Sequence, residues 1–195
     1  MSPSHTSKDR TPAGRAVPAL VALAVLAFIG WLLPAIDRHQ RPRPGAATAA
    51  GPTTISIPGI GVHARVVPVG LQADGAMQVP DPDQVGWYEL GPRPGDPGPA
   101  VLVGHVYYRP GPAVFYRLRQ LHPGDEILIG ERGGATRRFL VGRLERHPKT
   151  ALPVDRIWTT ATRPLLRLIT CGGSYDHSTG HYRDNLIVYA SPTGS

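Results

Sequence analysis

The density of glycine and proline most constrains how this chain can fold. The 195 residues include 23 glycines and 22 prolines. Both residue types disfavour helix interiors and are common in the turns between strands. From Thr53 onward they divide the sequence into short runs rich in β-branched and aliphatic residues. This pattern predicts a domain built mainly of short strands.

The runs between these turns predict about eight strands. Turn signals such as ADGA at 73–76 and PGD at 94–96 and 123–125 separate them. The segment Ala113–Leu121 carries apolar residues at helical spacing and predicts one short helix. Eight short strands with one or two helical turns predict an all-β domain closed into a barrel, which hides its edge strands. The predicted strands are Thr54–Ile57, His63–Val69, Val85–Tyr88, Ala100–Gly104, Glu126–Gly130, Thr136–Arg146, Leu165–Thr170 and Leu186–Ala190.

An uncharged apolar segment precedes this domain. Residues 16–36 read AVPALVALAVLAFIGWLLPAI, and at about 1.5 Å per residue such a helix spans the roughly 30 Å hydrocarbon core of a bilayer. A cleaved signal peptide is the alternative, but the nearest A-x-A pattern, at 47–49, lies well beyond the segment. We therefore predict an N-terminal tail over 1–15, a transmembrane anchor over 16–36, a Pro/Ala-rich linker over 37–52 and one domain over 53–195.

The net charge of +7 is concentrated around the predicted anchor. Six of the 21 basic residues flank it, three on each side, so the positive-inside rule does not orient the helix. Setting aside these six and two neighbouring acids leaves 15 basic and 12 acidic residues, out of 21 and 14. The 15 are scattered and nearly all arginine, unlike the clustered basic face of proteins that bind nucleic-acid backbones. We expect no nucleic-acid partner.

Cys171 is the only cysteine, so no intramolecular disulfide can form. A lone cysteine is usually a small buried hydrophobe, but an unpaired thiol outside the membrane is a liability unless it is used. Cys171 follows the apolar run Leu165–Thr170 and precedes Gly172 and Gly173, which predicts a position at the mouth of a strand where another chain can approach closely. Thr170 either donates a hydrogen bond there or is simply a strand-forming residue.

A cysteine nucleophile needs an imidazole partner near its sulfur. His105 follows the apolar run Ala100–Gly104, and Gly104 leaves room at the backbone. His177 and His181, in the loop after Cys171, are its rivals. Spacing alone does not choose among the three histidines.

Arg183 is the candidate cation for a developing oxyanion. If the strands before and after the 172–182 loop are antiparallel neighbours, Arg183 and Cys171 lie at the same end of the pair. A nearby guanidinium stabilises a thiolate and donates hydrogen bonds to an oxyanion. The alternative is a surface arginine paired with Asp184 or Asp176.

The sequence predicts neither a metal site nor a cofactor. It has one cysteine and no His/Cys/Asp cluster at ligand spacing. The stretch GPRPGDPG at 91–98 is a proline-rich turn and not a phosphate-binding loop.

Three stretches together resemble the sortases, specifically the actinobacterial group called class F. They are residues 55–80, 99–118 and 166–190, and they contain His, Cys and Arg in the order found in that family. The Thr-Cys pair and RDNLIVY at 183–189 are the most specific parts. One departure is Tyr107-Tyr108, where related sequences often carry a polar residue such as aspartate.

The resemblance implies Cys171 as nucleophile, His105 as proton partner and Arg183 as oxyanion-side cation, with Thr170 and Gly172 beside the nucleophile as supporting residues. It implies a membrane-anchored enzyme with an extracytoplasmic catalytic domain. Such an enzyme cleaves a Leu-Pro-x-Thr-Gly-like sorting signal of a secreted protein between Thr and Gly, through a thioacyl-enzyme. The acyl group then passes to an amine of a peptidoglycan precursor or a pilin, or to water.

Two other classes of function stay open. One is a non-catalytic extracytoplasmic binding module. The other is a different exported thiol peptidase, such as an L,D-transpeptidase, although those enzymes carry arginine directly after the cysteine, where this chain has Gly172.

Overall fold

The structure is a computed structural model that describes residues 51–193. Ten strands form within this range, and eight of them close into a barrel, which confirms the predicted all-β class. The strands are β1 (Pro52–Ile57), β2 (Val62–Val69), β3 (Val85–Tyr88), β4 (Gly98–Val103), β5 (Tyr107–Tyr108), β6 (Gly111–Pro112), β7 (Glu126–Glu131), β8 (Thr136–Pro148), β9 (Pro164–Asp176) and β10 (His181–Pro192).

The barrel strands follow the order β1-β2-β3-β4-β9-β10-β8-β7, and β5 and β6 form a separate hairpin. The joins are antiparallel except for two parallel pairs, β2 with β3 and β4 with β9. Side chains alternate between the two faces of a strand. In β9, Leu166 and Leu168 therefore point into the core, where they meet Leu102 of β4 and Val188 of β10.

Helical structure in the described residues is limited to α1 (Val154–Ile157) and short 3-10 turns at Pro58–Ile60, Leu118–Gln120 and Lys149–Ala151. The helix predicted over 113–121 is therefore only one 3-10 turn. Its N–H groups bond to carbonyls three residues back and not four: Tyr116 N–H donates to the Ala113 carbonyl at 3.0 Å and Leu118 N–H to the Phe115 carbonyl at 3.1 Å.

Within residues 51–193, no helix has the length and apolarity needed to cross a membrane. The predicted tail (1–15), anchor (16–36) and linker up to residue 50 lie outside the described residues.

Strand register defines two ends of the barrel. Pro52, where β1 begins, pairs with Glu131, and we call this the proximal end. At the other end, Thr170 of β9 pairs with Leu186 of β10. We call this the distal end, and it carries Cys171.

Candidate active site

Cys171 lies within β9 and not at the mouth of a strand, so that prediction is wrong. β9 continues to Asp176 because its antiparallel neighbour β10 extends equally far, and Cys171 pairs with Asn185. The other edge of β9 is different. There β4 ends at Val103, opposite Ile169, so the half-buried thiol lies just beyond the last residue of its parallel neighbour.

Of the two glycines after the thiol, Gly173 is the one the fold requires. Its φ of +73° is in the left-handed region, and a Cβ there would collide with the Asp184 carboxylate. The β9–β10 register shifts at the same level, between Tyr182 and Asp184. At Gly172, a Cβ would make only ordinary contacts, 3.5 Å from Leu186.

His105 lies next to Cys171 in the parallel register of β4 and β9. Gly104 N–H donates to the Ile169 carbonyl at 3.2 Å, which continues the ladder by one residue. The next residue of each chain is then His105 and Cys171, on segments roughly 4.8 Å apart. The rival His181 pairs with Asp176, five residues along β9 from the thiol, a separation of roughly 16 Å.

His177 follows Asp176 and is exposed, with its ring packed edge-on against Tyr175 at 5.1 Å. The register therefore puts His105 level with Cys171, whereas His177 lies in the turn after β9 and His181 at the start of β10, both further along the hairpin from the thiol. The half-buried His105 has its own ring neighbour, Tyr108 of β5, at 5.7 Å between ring centres.

Thr170 and Gly104 hold the histidine segment against β9. The buried Thr170 hydroxyl donates to the Gly104 carbonyl at 2.7 Å, so of the two alternatives for this residue the structure shows the hydrogen bond. A Cβ on Gly104 would lie 2.7 Å from the buried Phe115 ring. Gly104 is thus needed for close packing.

Arg183 lies in the register shift of β10, on the same hairpin as Cys171. Its guanidinium donates to the Asp176 carboxylate at 3.0 Å, and its side chain is 67% exposed. The structure thus shows the surface ion pair that the sequence left as the alternative, with Asp176 as partner. Asp184 instead lies 3.5 Å from Arg146.

The Asp176 carboxyl has a lower pKa than an ordinary aspartate. Hydrogen bonds from the Ser178 hydroxyl at 2.6 Å and the Ser178 amide at 3.0 Å, together with Arg183, hold the Asp176 pKa at about 2. The carboxylate therefore stays charged at any ordinary pH, and Arg183 keeps a competing partner.

A cavity of about 440 Å³ opens beside the thiol. Apolar side chains form much of its wall, and two arginines, Arg119 and Arg146, reach it as well. Its lining includes Phe115, Leu144, Thr170, Cys171, Tyr182 and Leu186.

Tyr182 is a site residue that the sequence argument missed. Burial and the nearby Cys171 charge raise the pKa of its phenol, so it is a neutral hydrogen-bond donor facing the cavity. Its ring packs edge-on against Tyr175 at 5.2 Å. No local signal could have found it, because the register shift between Tyr182 and Asp184 breaks the alternation of β10 at this point.

The comparisons with known proteins agree on one family. The family model described as a Sortase domain matches residues 55–193. No curated protein sequence matches the chain.

Several solved structures are similar to this chain. Sortase C-1 from Actinomyces oris is 23% identical over 73% of this chain and 72% of its own, with a TM-score of 0.58. A lid mutant of sortase A from Corynebacterium diphtheriae is 21% identical over 83% and 80%, with a TM-score of 0.60. A Clostridium perfringens sortase D5 transpeptidase is 21% identical over 74% and 79%, with a TM-score of 0.55. At these identities the likeness is one of fold.

Proposed function

The chain belongs to the sortase family, and from this premise we propose that it is a membrane-anchored cysteine transpeptidase of the class F group. Cys171 is its nucleophile, His105 its proton partner and Arg183 its oxyanion-side cation. The observation that supports the proposal is the register that puts His105 level with Cys171 where β4 ends, together with a cavity lined by Cys171 and large enough for peptide side chains.

The first half-reaction is acylation. The Cys171 thiolate attacks the carbonyl carbon of the threonine in a Leu-Pro-x-Thr-Gly-like signal, and a C–S bond forms. The oxyanion accepts hydrogen bonds from Arg183 and backbone N–H groups. The C–N bond to glycine then breaks, and protonated His105 gives its proton to the leaving amine.

The second half-reaction is the reverse exchange on the thioester. An amine attacks the acyl carbon, neutral His105 takes its proton, and the C–S bond breaks to release the Cys171 thiolate. The amine belongs to a peptidoglycan precursor or a pilin lysine, and water gives hydrolysis instead. No cofactor enters either step.

The cavity walls suit the apolar part of such a signal. Phe115, Leu144 and Leu186 offer aliphatic and aromatic surface to leucine and proline side chains. Tyr182 offers a neutral O–H to a peptide carbonyl at the same wall. These contacts favour peptide binding next to the thiol.

The location follows from the predicted anchor. A single-pass helix over 16–36 would hold the domain outside the cell membrane, where secreted proteins and cell-wall precursors are its partners. The even charge distribution around the helix gives no orientation of its own. The chemistry supplies it, because sorting signals are processed on the outer side.

The test uses the full chain in detergent micelles with a quenched Leu-Pro-x-Thr-Gly peptide, with and without an amine acceptor. We expect cleavage that requires Cys171, an acyl–amine product, and an acyl adduct on the Cys171 tryptic peptide by mass spectrometry. Cys171→Ala is the control. Absence of cleavage, together with a thiol that resists alkylation in the folded protein, would instead identify a binding module.

A further inference from the structure

Apolar side chains are exposed together on the outside of the barrel, away from the thiol. Leu71 is 43%, Leu90 61% and Trp158 38% exposed. The Tyr88 and Trp158 rings pack edge-on at 5.2 Å. Leu71, Met77, Tyr88 and Trp158 line a shallow cavity of about 420 Å³. We call Leu71, Met77, Tyr88, Leu90 and Trp158 the proximal patch.

Backbone contacts make this patch continuous. Glu89 N–H donates to the Val69 carbonyl at 3.1 Å, so the chains just before Leu90 and Leu71 are still hydrogen-bonded to each other. A Cβ on Gly91 would lie 3.2 Å from the Tyr88 ring and 3.7 Å from that of Trp158. The residue after Leu90 therefore lies close to both aromatic members of the patch.

The patch lies at the proximal end of the barrel. β3 is antiparallel to β4, and its residue Gly86 pairs with Val103, the distal end of β4. Tyr88 is therefore at the proximal end of β3. The first described residue is at the same end of the barrel, because a Cβ on Gly51 would lie 3.3 Å from the ring of Trp87, which packs on the opposite face of β3 from Tyr88.

The charges beside the patch are mixed. Arg93 is paired with Asp96 at 3.0 Å, while Arg163, Glu89 and Asp74 are exposed. The patch is therefore not flanked by charges of a single sign that would attract an oppositely charged partner. Its chemistry is that of Trp, Tyr and Leu side chains, which favour the boundary between lipid headgroups and acyl chains.

We propose that the proximal patch rests on the surface of the bilayer to which the chain is tethered, with Leu71, Leu90 and Trp158 at the headgroup–acyl boundary. The inference relies on the membrane anchor of the proposed function. Treated as a random coil, a linker of the 16 residues predicted over 37–52 has a typical end-to-end distance of roughly 20–24 Å. Because the described residues begin at the same end of the barrel as the patch, a tether there keeps that end of the domain at a high effective concentration next to lipid.

The experiment measures lipid contact by spin labelling of the full chain in phosphatidylcholine/phosphatidylglycerol vesicles. Cys171→Ala removes the only native thiol, and a nitroxide is attached after Leu71→Cys or Leu90→Cys. Tyr108→Cys is the matched control, since Tyr108 is 57% exposed and lies beside His105 at the distal end. We expect labels at 71 and 90 to collide severalfold more with oxygen than with a water-soluble nickel chelate, and the reverse at 108.

Three outcomes overturn the proposal. If the nickel chelate reaches the labels at 71 and 90 as readily as the label at 108, the patch is in water. Dipolar broadening at 71 that grows with protein density, without an oxygen preference, shows a second copy on the patch. If a carbonate wash removes the chain from the vesicles, both the predicted transmembrane anchor and the docking of the patch are refuted.

A separate assay keeps the catalytic proposal distinct. Leu71→Glu combined with Leu90→Glu, in the chain that retains Cys171, is expected to leave peptide cleavage in micelles within twofold of the parent, because neither residue touches the cavity at the thiol. If the labels at 71 and 90 show no lipid contact while peptide cleavage persists, docking is refuted and the catalytic proposal is unaffected. Loss of cleavage in this variant also counts against docking, because it ties these residues to the catalytic end.

Discussion

His105 is one of three histidines that the sequence offers as the proton partner of Cys171, with His177 and His181 as the others. Substituting each in turn can show which one acts in catalysis. If His105 delivers the proton to the leaving amine, His105→Ala should lower kcat by about 10²–10⁴-fold, the usual contribution of general acid–base catalysis. His181→Ala and His177→Ala should stay within twofold, since both are exposed and lie at the far end of the β9–β10 hairpin. Steady-state peptide cleavage measures all three, and an equal loss in His181→Ala would contradict the assignment.

Arg183 offers a second prediction, because its guanidinium already has a partner. Asp176→Asn retains an oxygen that can accept from Ser178 but removes the charge that holds Arg183 at 3.0 Å. We expect kcat/KM to rise by about two- to fivefold, since exposed ion pairs are weak and their loss frees the guanidinium for the oxyanion.

The matched control for that change is Asp184→Asn, which leaves the Arg183 contact intact and loses only the 3.5 Å approach of Arg146. A fall in kcat/KM for Asp176→Asn would mean that the carboxylate orients the arginine for catalysis. Acidification cannot replace the mutation, because the pKa of Asp176 is about 2.

At the scale of elements, the sequence predicted what local pattern determines and missed what depends on neighbours. All eight barrel strands were predictable, because alternation and turn residues are local signals. The continuation of β9 past Cys171 was not, since it depends on how far β10 extends. The β5–β6 hairpin has two residues in each strand, too few for any periodicity.

The candidate site divides in the same way. Cys171, His105 and Thr170 were identifiable because each ends or follows an apolar run. The choice of His105 over His181 needed the parallel β4–β9 register, which no local pattern contains. The partner of Arg183 depended on the loop geometry around Asp176.

The β9–β10 hairpin itself is tested by its glycines. Gly173→Ala forces a Cβ into the Asp184 carboxylate at a φ of +73°, so we expect about 1–3 kcal/mol lower free energy of unfolding. Gly172→Ala is the matched control, because a Cβ there is 3.5 Å from Leu186. Urea unfolding measures both, and equal losses would contradict the requirement at Gly173.

At the scale of the molecule, one polar network joins the barrel to the segment between β8 and β9. Glu145 of β8 accepts hydrogen bonds from Arg143 and His147 at 2.9 Å and from Arg156 of α1 at 3.1 Å. The buried Arg167 of β9 donates to the Leu166 carbonyl at 3.0 Å and packs on the Tyr189 ring at 4.7 Å. This network covers the outer wall behind the active-site strand.

Glu145 should therefore make the stability of the whole domain depend on acid. Burial opposes its ionisation, but the hydrogen bonds from His147 and Arg143 outweigh burial and hold the Glu145 pKa at about 2, below an ordinary 4.5. A depressed folded-state pKa adds stability that is complete above the unfolded value and is lost as pH falls toward the folded one. We expect the free energy of unfolding to fall by up to about 3 kcal/mol between pH 5 and 2 from this group.

The measurement is urea unfolding at several pH values for the parent and for Glu145→Gln. The variant keeps the shape and an oxygen acceptor, so it should be less stable at pH 6 yet lose less between pH 5 and 2. Asp176 titrates over the same interval, and Asp176→Asn serves as the comparison that isolates its share. A pH profile of Glu145→Gln parallel to that of the parent would mean that acid acts elsewhere, and that the Glu145 network does not secure the β8–β9 segment through its charge.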